Sequence, residues 1–286
     1  MNFNESELNN LTKKELINII TKQKKTLESQ ENFFLNISHD LRSPINNILS
    51  VLQCLKYIND FNDEEANRKR NEYRNIIRRN SLKIIKLIDN LIDTTKLEGN
   101  NYKLSKININ IVSVVENIVE CIRSYAQQKK INLIFNTNVK EFIINADPQA
   151  IDRIVMNLLS NAIKFSPINS KILVDIKVID NIVNISVKDE GIGIDEKDRK
   201  KIFNRFEQAS SSKRIEGKGS GIGLDLVNYL VSKHNGSINL RSEVNHGSEF
   251  IVSLPIGNIN NCDEVSYLPT KEKVEQLEIE FSDIYL

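Results

Sequence analysis

Cysteine is scarce in this chain of 286 residues: Cys54, Cys121 and Cys262 are the only three. They are odd in number, far apart and without CxxC or Cys/His spacing, which argues against a disulfide framework or a zinc site and fits a reducing cytoplasm. No apolar run approaches the roughly 18 residues of a membrane span, so no membrane insertion is expected of the chain. The first thirty residues are polar and lysine-rich, with no signal-peptide core. An excess of one charge is missing too. Lys and Arg number 39 against 38 Asp and Glu, a net of +1 that gives no general drive toward nucleic acid. Internal repeats are absent. What is present is ordinary soluble-protein composition, 40% hydrophobic and 27% charged, at a length that allows two domains with packed cores.

Histidine is as sparse as cysteine, and His39 is the most informative residue of the chain. It stands in Phe34-Leu35-Asn36-Ile37-Ser38-His39-Asp40-Leu41-Arg42-Ser43-Pro44. Phe34, Ile37, Leu41, Ile45, Ile48, Leu52 and Leu55 follow steps of three and four, which at about 100° per residue makes one core-facing stripe. His39 falls roughly 160° from the middle of that stripe and is expected on the exposed face. Ser43, one turn later, shares that face, while Asp40 lies on the flank beside it. Pro44 cannot donate to the carbonyl of Asp40, so a loosened or bent helix is expected one turn past the histidine. The ordinary alternative is a solvated surface histidine, and other motifs have to decide.

Residues 1–27 carry a weak helical pattern that runs on into the His39 helix. A second long helical pattern with Tyr73, Ile77, Ile84, Ile88 and Leu91 follows a polar break at 59–63 and continues to Gly99. Residues 28–102 therefore read as a helical hairpin. One hairpin has too few faces to bury both stripes, so pairing with a second copy in a four-helix bundle, a homodimer, is expected. The second helix is locally basic through Arg68, Lys69, Arg70, Arg74, Arg78, Arg79, Lys83 and Lys86, which reads as a solvated face. From about 103 to 257 short strand patterns alternate with helical ones, and Ile172–Val178 with Ile182–Lys188, and Ser237–Ser242 with Glu249–Leu254, read as adjacent hairpins of a mixed sheet layered with helices. The fold class is α+β in two domains. Residues 258–286 hold seven acids against two lysines, a net of −5, with a helical pattern near 271–280.

Three segments of the second domain carry chemistry. Asp147-Pro148 starts a helix as N-cap and first-turn proline, and Asn157, Asn161 and Lys164 share its flank. Two amides and an ammonium along one edge can hold hydrated Mg²⁺ and phosphate oxygens, although any amphipathic helix has a polar flank. In Val183-Asn184-Ile185-Ser186-Val187-Lys188 the alternation gives Asp189 the parity of the apolar residues, so its carboxylate points inward. A purine amine is one partner able to satisfy it, with Gly191 and Gly193 permitting close backbone approach; an Asx-turn at a strand end is the other reading. Gly217-Lys218-Gly219-Ser220-Gly221-Ile222-Gly223-Leu224 leads into a helix, a phosphate cradle of exposed backbone N–H groups. The polar stretch Glu207–Glu216 before it reads as a mobile lid or a simple flexible loop.

The order of these elements resembles a bacterial sensor histidine kinase over about residues 28–256. Ser38-His39-Asp40-Leu41-Arg42-Ser43-Pro44 resembles the phosphoacceptor box, Asn157–Phe165 the N box and Asp189-Glu190-Gly191-Ile192-Gly193 the first glycine box. Phe203-Asn204-Arg205-Phe206 resembles the F box, Gly219–Leu224 the second glycine box, and His246-Gly247-Ser248-Glu249-Phe250 the glycine turn before the last strand. The resemblance implies a dimeric phosphotransfer bundle followed by a Bergerat-type ATP-binding α/β sandwich. It further implies that His39 takes the γ-phosphoryl group of ATP, that Asp40 polarises its imidazole, and that a response regulator receiver domain accepts the phosphoryl group. In that family Asn161 would bind Mg²⁺, Asn157 and Lys164 would support the phosphates, Asp189 would read the adenine amine, and Phe165, Arg205 and the residues Gly219, Ser220, Gly221, Ile222, Gly223 and Leu224 would complete the nucleotide site. An ATP hydrolase or a nucleotide-binding scaffold on the same fold is the alternative. Hydrolytic relatives place a Glu where this chain has Asn157, and an amide is no general base. Two departures stand out: Ser43 where many relatives carry Thr or Asn, and Gln208 where an arginine is common.

Overall fold

The computed structural model describes residues 12–58, 64–98, 103–204, 207–209, 221–257 and 271–282. Its first element, α1 (Lys13–Ile58), is a single helix of 46 residues. Thr12 and Glu15 start it with a capping box, the Thr12 N–H donating to Glu15 Oε2 at 2.8 Å and the Glu15 N–H to Thr12 Oγ1 at 3.3 Å. The helix runs on through Pro44, which is buried inside it. α2 (Glu64–Glu98) opens on two acids that suit the positive end of a helix and packs back along α1. Asn47 of α1 donates to Asn80 of α2 at 3.4 Å, a polar contact part-way down the hairpin.

Only part of the expected stripe is covered. Ile37 is buried, and Leu41, Ile48 and Leu55 are half-buried, but Phe34, Ile45 and Leu52, read as core positions, are exposed. The physical reason is the one that suggested a second copy: two helices meet along one line, and an apolar stripe more than 100° wide needs more than one neighbour.

The second region is a layer of helices on a mixed sheet. β1 (Ile107–Asn110) pairs antiparallel with β3 (Ile143–Ala146) as a separate two-stranded sheet. Asn110 then turns strand into helix by accepting from the Val112 N–H at 3.2 Å, which starts α3 (Ile111–Gln128). β2 (Asn132–Thr137), β4 (Lys171–Ile179), β5 (Ile182–Asp189), β7 (Ser248–Pro255) and β6 (Ser237–Ser242) lie side by side in that order. β2 and β4 are parallel and every other neighbouring pair is antiparallel, so both expected hairpins and the mixed sheet are present. α4 (Pro148–Phe165) starts as the sequence indicates, Asp147 Oδ1 accepting from the N–H groups of Gln149 and Ala150 at 3.0 and 3.2 Å. α5 (Gly223–Lys233) packs against α4, and alternate residues of β4, β5 and β7 meet α3, α4 and α5 in one core. Lys129, just past α3, sets its Nζ on the carbonyls of Ile163 and Lys164 at 2.8 and 3.0 Å and so closes the end of α4. A last helix, α6 (Lys271–Glu280), returns to this core from the acidic tail.

Candidate active site

His39 stands on α1 with 83% of its side chain exposed, as its place opposite the stripe requires. Its Nδ1 is 3.8 Å from Asp40 Oδ1. That is longer than a hydrogen bond, so in this arrangement the carboxylate acts on the imidazole through charge and lies on the Nδ1 side of the ring. Nε2 is the nitrogen turned from it. Ser43 is exposed one turn further along the helix.

On α4 the three flank residues are where the spacing puts them. Asn157, Asn161 and Lys164 are half-buried, while Ile154, Leu158, Leu159 and Ile163 on the other side are fully enclosed. Asn157 donates from Nδ2 to the Arg153 carbonyl at 2.9 Å, and its Oδ1 lies against Gly223 so closely that a Cβ there would collide with it. The polar flank of α4 and the head of α5 are thereby brought together. Lys164 lies 5.6 Å from the centroid of the Phe165 ring.

Asp189, at the end of β5, is 6% exposed and points inward as its parity demands. Its Oδ1 accepts from the Gly191 N–H at 2.8 Å and from the Ser248 N–H at 3.2 Å. The first bond is an Asx-turn, so the turn reading and the inward-carboxylate reading describe the same residue. Burial pushes the carboxyl up to about 6, against the pull of the two backbone donors. Gly193 and Gly247 adopt φ of +66° and +84°, where a side chain would be strained, and they press on the backbones of Glu243 and Asp189 respectively. These contacts fix the strand end on which the carboxylate sits.

Ile222 precedes α5 with no side-chain cap hydrogen bond, so its own side chain does not cover the positive pole of this helix. The Ile222 side chain turns elsewhere: it is wholly buried with Ile37, packed by Leu41 and Leu91 of the hairpin. Leu224 is half-buried against the main core, and Gly221 has φ of +72°. Arg205, Gly219 and Ser220 lie outside the described residues, as does most of the expected lid.

Two residues were not legible as contributors. His234, read as an ordinary polar residue at a helix end, is 4% exposed. Its Nε2 accepts from the Asp147 N–H at 3.1 Å while Nδ1 donates to the Leu230 carbonyl at 2.8 Å, a neutral tautomer that staples the end of α5 to the start of α4. Burial lowers its pKa, in keeping with that neutral form. Ser248 was placed in the glycine turn, but its N–H donation to Asp189 across 59 residues had no local signal.

Residues 29–100 match the family described as His Kinase A (phospho-acceptor) domain, and residues 146–258 match the histidine kinase-, DNA gyrase B-, and HSP90-like ATPase family, which implies ATP as the nucleotide. The autoinducer 2 sensor kinase/phosphatase LuxQ of Vibrio vulnificus strain YJ016 is 31% identical over 257 residues, 87% of this chain and 29% of that protein. The sensor histidine kinase WalK of Bacillus subtilis is 28% identical over 82% of this chain and 38% of its own length. The chain thus spans well under half the length of these relatives. Among solved structures, the Acinetobacter baumannii histidine kinase AdeS superposes with a TM-score of 0.56 at 21% identity, covering 77% of this chain and 98% of that one. Histidine kinase ThkA in complex with response regulator protein TrrA gives a TM-score of 0.57 at 21% identity, over 86% of this chain and 68% of that one. At these identities the two structures speak for the fold.

Proposed function

Because the chain belongs to the sensor histidine kinases, with a phosphoacceptor hairpin followed by the family's ATPase domain, we propose that it transfers the γ-phosphoryl group of ATP to His39 and then to an aspartate of a response regulator receiver domain. The observation that carries the proposal is His39 itself, an exposed imidazole with a carboxylate on its Nδ1 side. Asp40 favours the tautomer with the proton on Nδ1 and stabilises the positive charge that grows on the ring. Nε2 then attacks the γ-phosphorus, an N–P bond forms, the bond to the β,γ-bridging oxygen breaks, and ADP leaves with that electron pair. The ring proton lost from the imidazolium passes to solvent.

The nucleotide residues fit their parts. Asp189, a carboxylate buried at a cost that an amine donor relieves, suits the adenine end. The flank of Asn157, Asn161 and Lys164 together with the uncapped start of α5 suits the phosphates. Among the described residues no three His, Cys, Asp or Glu side chains gather to hold a metal, so Mg²⁺ would be held by Asn161 and the phosphate oxygens. When bound it neutralises phosphate charge. Asn157, which spends its amide hydrogen on Arg153, cannot take a proton from water, and this favours transfer over hydrolysis.

Further roles follow from the same reading. The exposed Ile45, Leu49, Leu52, Ile85, Ile88 and Ile92 suit a second copy, giving a four-helix dimer. The complex of ThkA with response regulator protein TrrA supports a response-regulator partner, and the kinase/phosphatase name of LuxQ suits a phosphatase reaction in which the exposed Ser43 hydroxyl would position water. Among the described residues no helix is long and apolar enough to cross a membrane.

Incubation with ATP labelled at the γ-phosphate tests the central step. The protein is expected to take up acid-labile label, and His39→Gln to lose it while still binding nucleotide. Acid-stable label, or label that survives in His39→Gln, contradicts the assignment.

A further inference from the structure

The acidic tail and the basic second helix take no part in the nucleotide chemistry, yet they meet. Leu277 and Phe281, at the end of α6, are buried in the catalytic core, where the Phe281 ring lies 4.9 Å from that of Tyr125 on α3. Ser282 turns its Oγ onto the Ile279 carbonyl at 2.7 Å and closes the segment. The acids between these anchors face the hairpin. Glu278 Oε2 accepts from Arg78 of α2 at 2.6 Å, and Glu280 pairs with Lys86 at 3.4 Å, the Lys86 Nζ also donating to the Glu280 carbonyl. Lys86 and Glu280 are 17% and 20% exposed, so this pair is shielded from solvent. Arg78 and Lys86 are about two turns, roughly 12 Å, apart on α2. One short helix is thus fixed to the catalytic domain by apolar side chains and to the hairpin by acids.

The docking that α6 spans has a direction. Ile222, at the head of α5, is buried with Ile37, and Ile37 is about 200° around α1 from His39. The catalytic domain therefore sits on the side of its own hairpin away from the imidazole, which remains 83% exposed.

We propose that residues 277–282 form an intramolecular strap that holds the catalytic domain in this resting position, and that releasing the strap frees the domain to deliver its phosphoryl group. The proposal rests on the kinase reading for its rate effect, and on the contacts alone for its effect on domain position. Arg78 and Lys86 are outside the nucleotide site, so they can be changed without touching it.

The full chain carrying Arg78→Glu with Lys86→Glu tests this through three readouts: hydrogen exchange of the 277–282 amides, small-angle scattering, and the initial rate of labelling from ATP. Faster exchange, a larger radius of gyration and a labelling rate raised about fivefold or more are expected. Adding Glu278→Arg and Glu280→Lys re-forms the pairs with reversed charge and should restore all three. Freed amides with an unchanged or lower labelling rate would overturn the restraint, and unchanged amide exchange would overturn the strap. If the parent takes no label while exchange and scattering shift as expected, the kinase reading fails and the strap stands.

Discussion

In the catalytic domain Ile118, Ile122, Ile151, Leu159 and Val252 have no exposed surface, whereas in the hairpin Leu49, Leu52, Ile88 and Ile92 remain exposed on helices whose apolar spacing is no less regular. The difference comes from geometry. A sheet covered by helices encloses its inner face within one chain, while two helices cover each other along a single seam. A periodic stripe therefore announces that a face will be covered without saying by which molecule. With the second copy proposed above, the catalytic domain would be complete as a single copy and the hairpin would be half of an assembly.

The most direct way to break this contrast is to charge the open seam. Leu49→Glu with Ile88→Glu is expected to give a monomer by sedimentation, raising the dissociation constant at least 100-fold, since about 1.5–3 kcal/mol goes with each large apolar side chain buried. Thermal melting of the catalytic domain should not move. A variant that stays dimeric would mean that these side chains are not the interface.

A second test probes the enclosed domain at the buried carboxylate of Asp189. Asp189→Asn is expected to weaken adenine nucleotide binding about 10- to 100-fold, because a charge-assisted bond is worth about 1.5–3 kcal/mol. The empty domain should be stabilised, by about 1–3 kcal/mol near neutral pH. The sign follows from the carboxyl lying at about 6 when folded against 3.8 as a free group: the folded state holds the proton longer, so the native domain loses stability as pH rises from about 4 through 6. ATP affinity in the parent should move the other way, falling as pH drops through 6. Calorimetric titration across that range reads both, and a flat pH profile would remove Asp189 from the site.

His234 tests the same domain with the opposite sign. Its pKa is lowered from 6.5 by burial, so the unfolded chain takes the proton first, and the stability from the staple is complete above pH 6.5 and lost as pH falls below it. His234→Ala should cost about 1–3 kcal/mol at pH 7.5 and remove that acid-side loss from the melting curve. If parent and variant melt with the same pH dependence, the staple carries no proton-linked stability.

The smallest effect belongs to the hairpin's exposed face. Ser43→Ala should leave labelling of His39 intact and slow dephosphorylation of the regulator several-fold, the worth of about 0.5–1.5 kcal/mol for one hydroxyl, while Ser43→Thr preserves it. Equal dephosphorylation by parent and Ser43→Ala would exclude the role.

Local signals were legible wherever one residue type has one strong preference. Asp147-Pro148 marked the start of α4, and the alternation of β5 placed Asp189 inside. The junction of β1 and α3 was not legible, because Ile107 to Val115 is rich in β-branched residues that suit either state and the switch rests on one amide of Asn110. The exposure of Phe34, Ile45 and Leu52 was missed for a different reason, since periodicity carries no count of neighbours. His234, Ser248 and the strap act through partners far away in sequence: the Asp147 N–H lies 87 residues from His234, and Arg78 lies 200 from Glu278. No window along the chain contains both halves of such a contact.

Lys129 meets the end of α4 through the carbonyls of Ile163 and Lys164, and partial burial lowers its pKa. Those carbonyls are the negative pole of α4, and they lie beside Lys164 on the flank assigned to phosphate. Left bare, that pole would repel an incoming polyanion at the place where Lys164 attracts it. The half-buried ammonium offsets it from behind. On the nucleotide reading proposed above, a triphosphate would then meet Lys164 without the opposing field of that pole, so Lys129 would tune how fully the lysine's charge is felt.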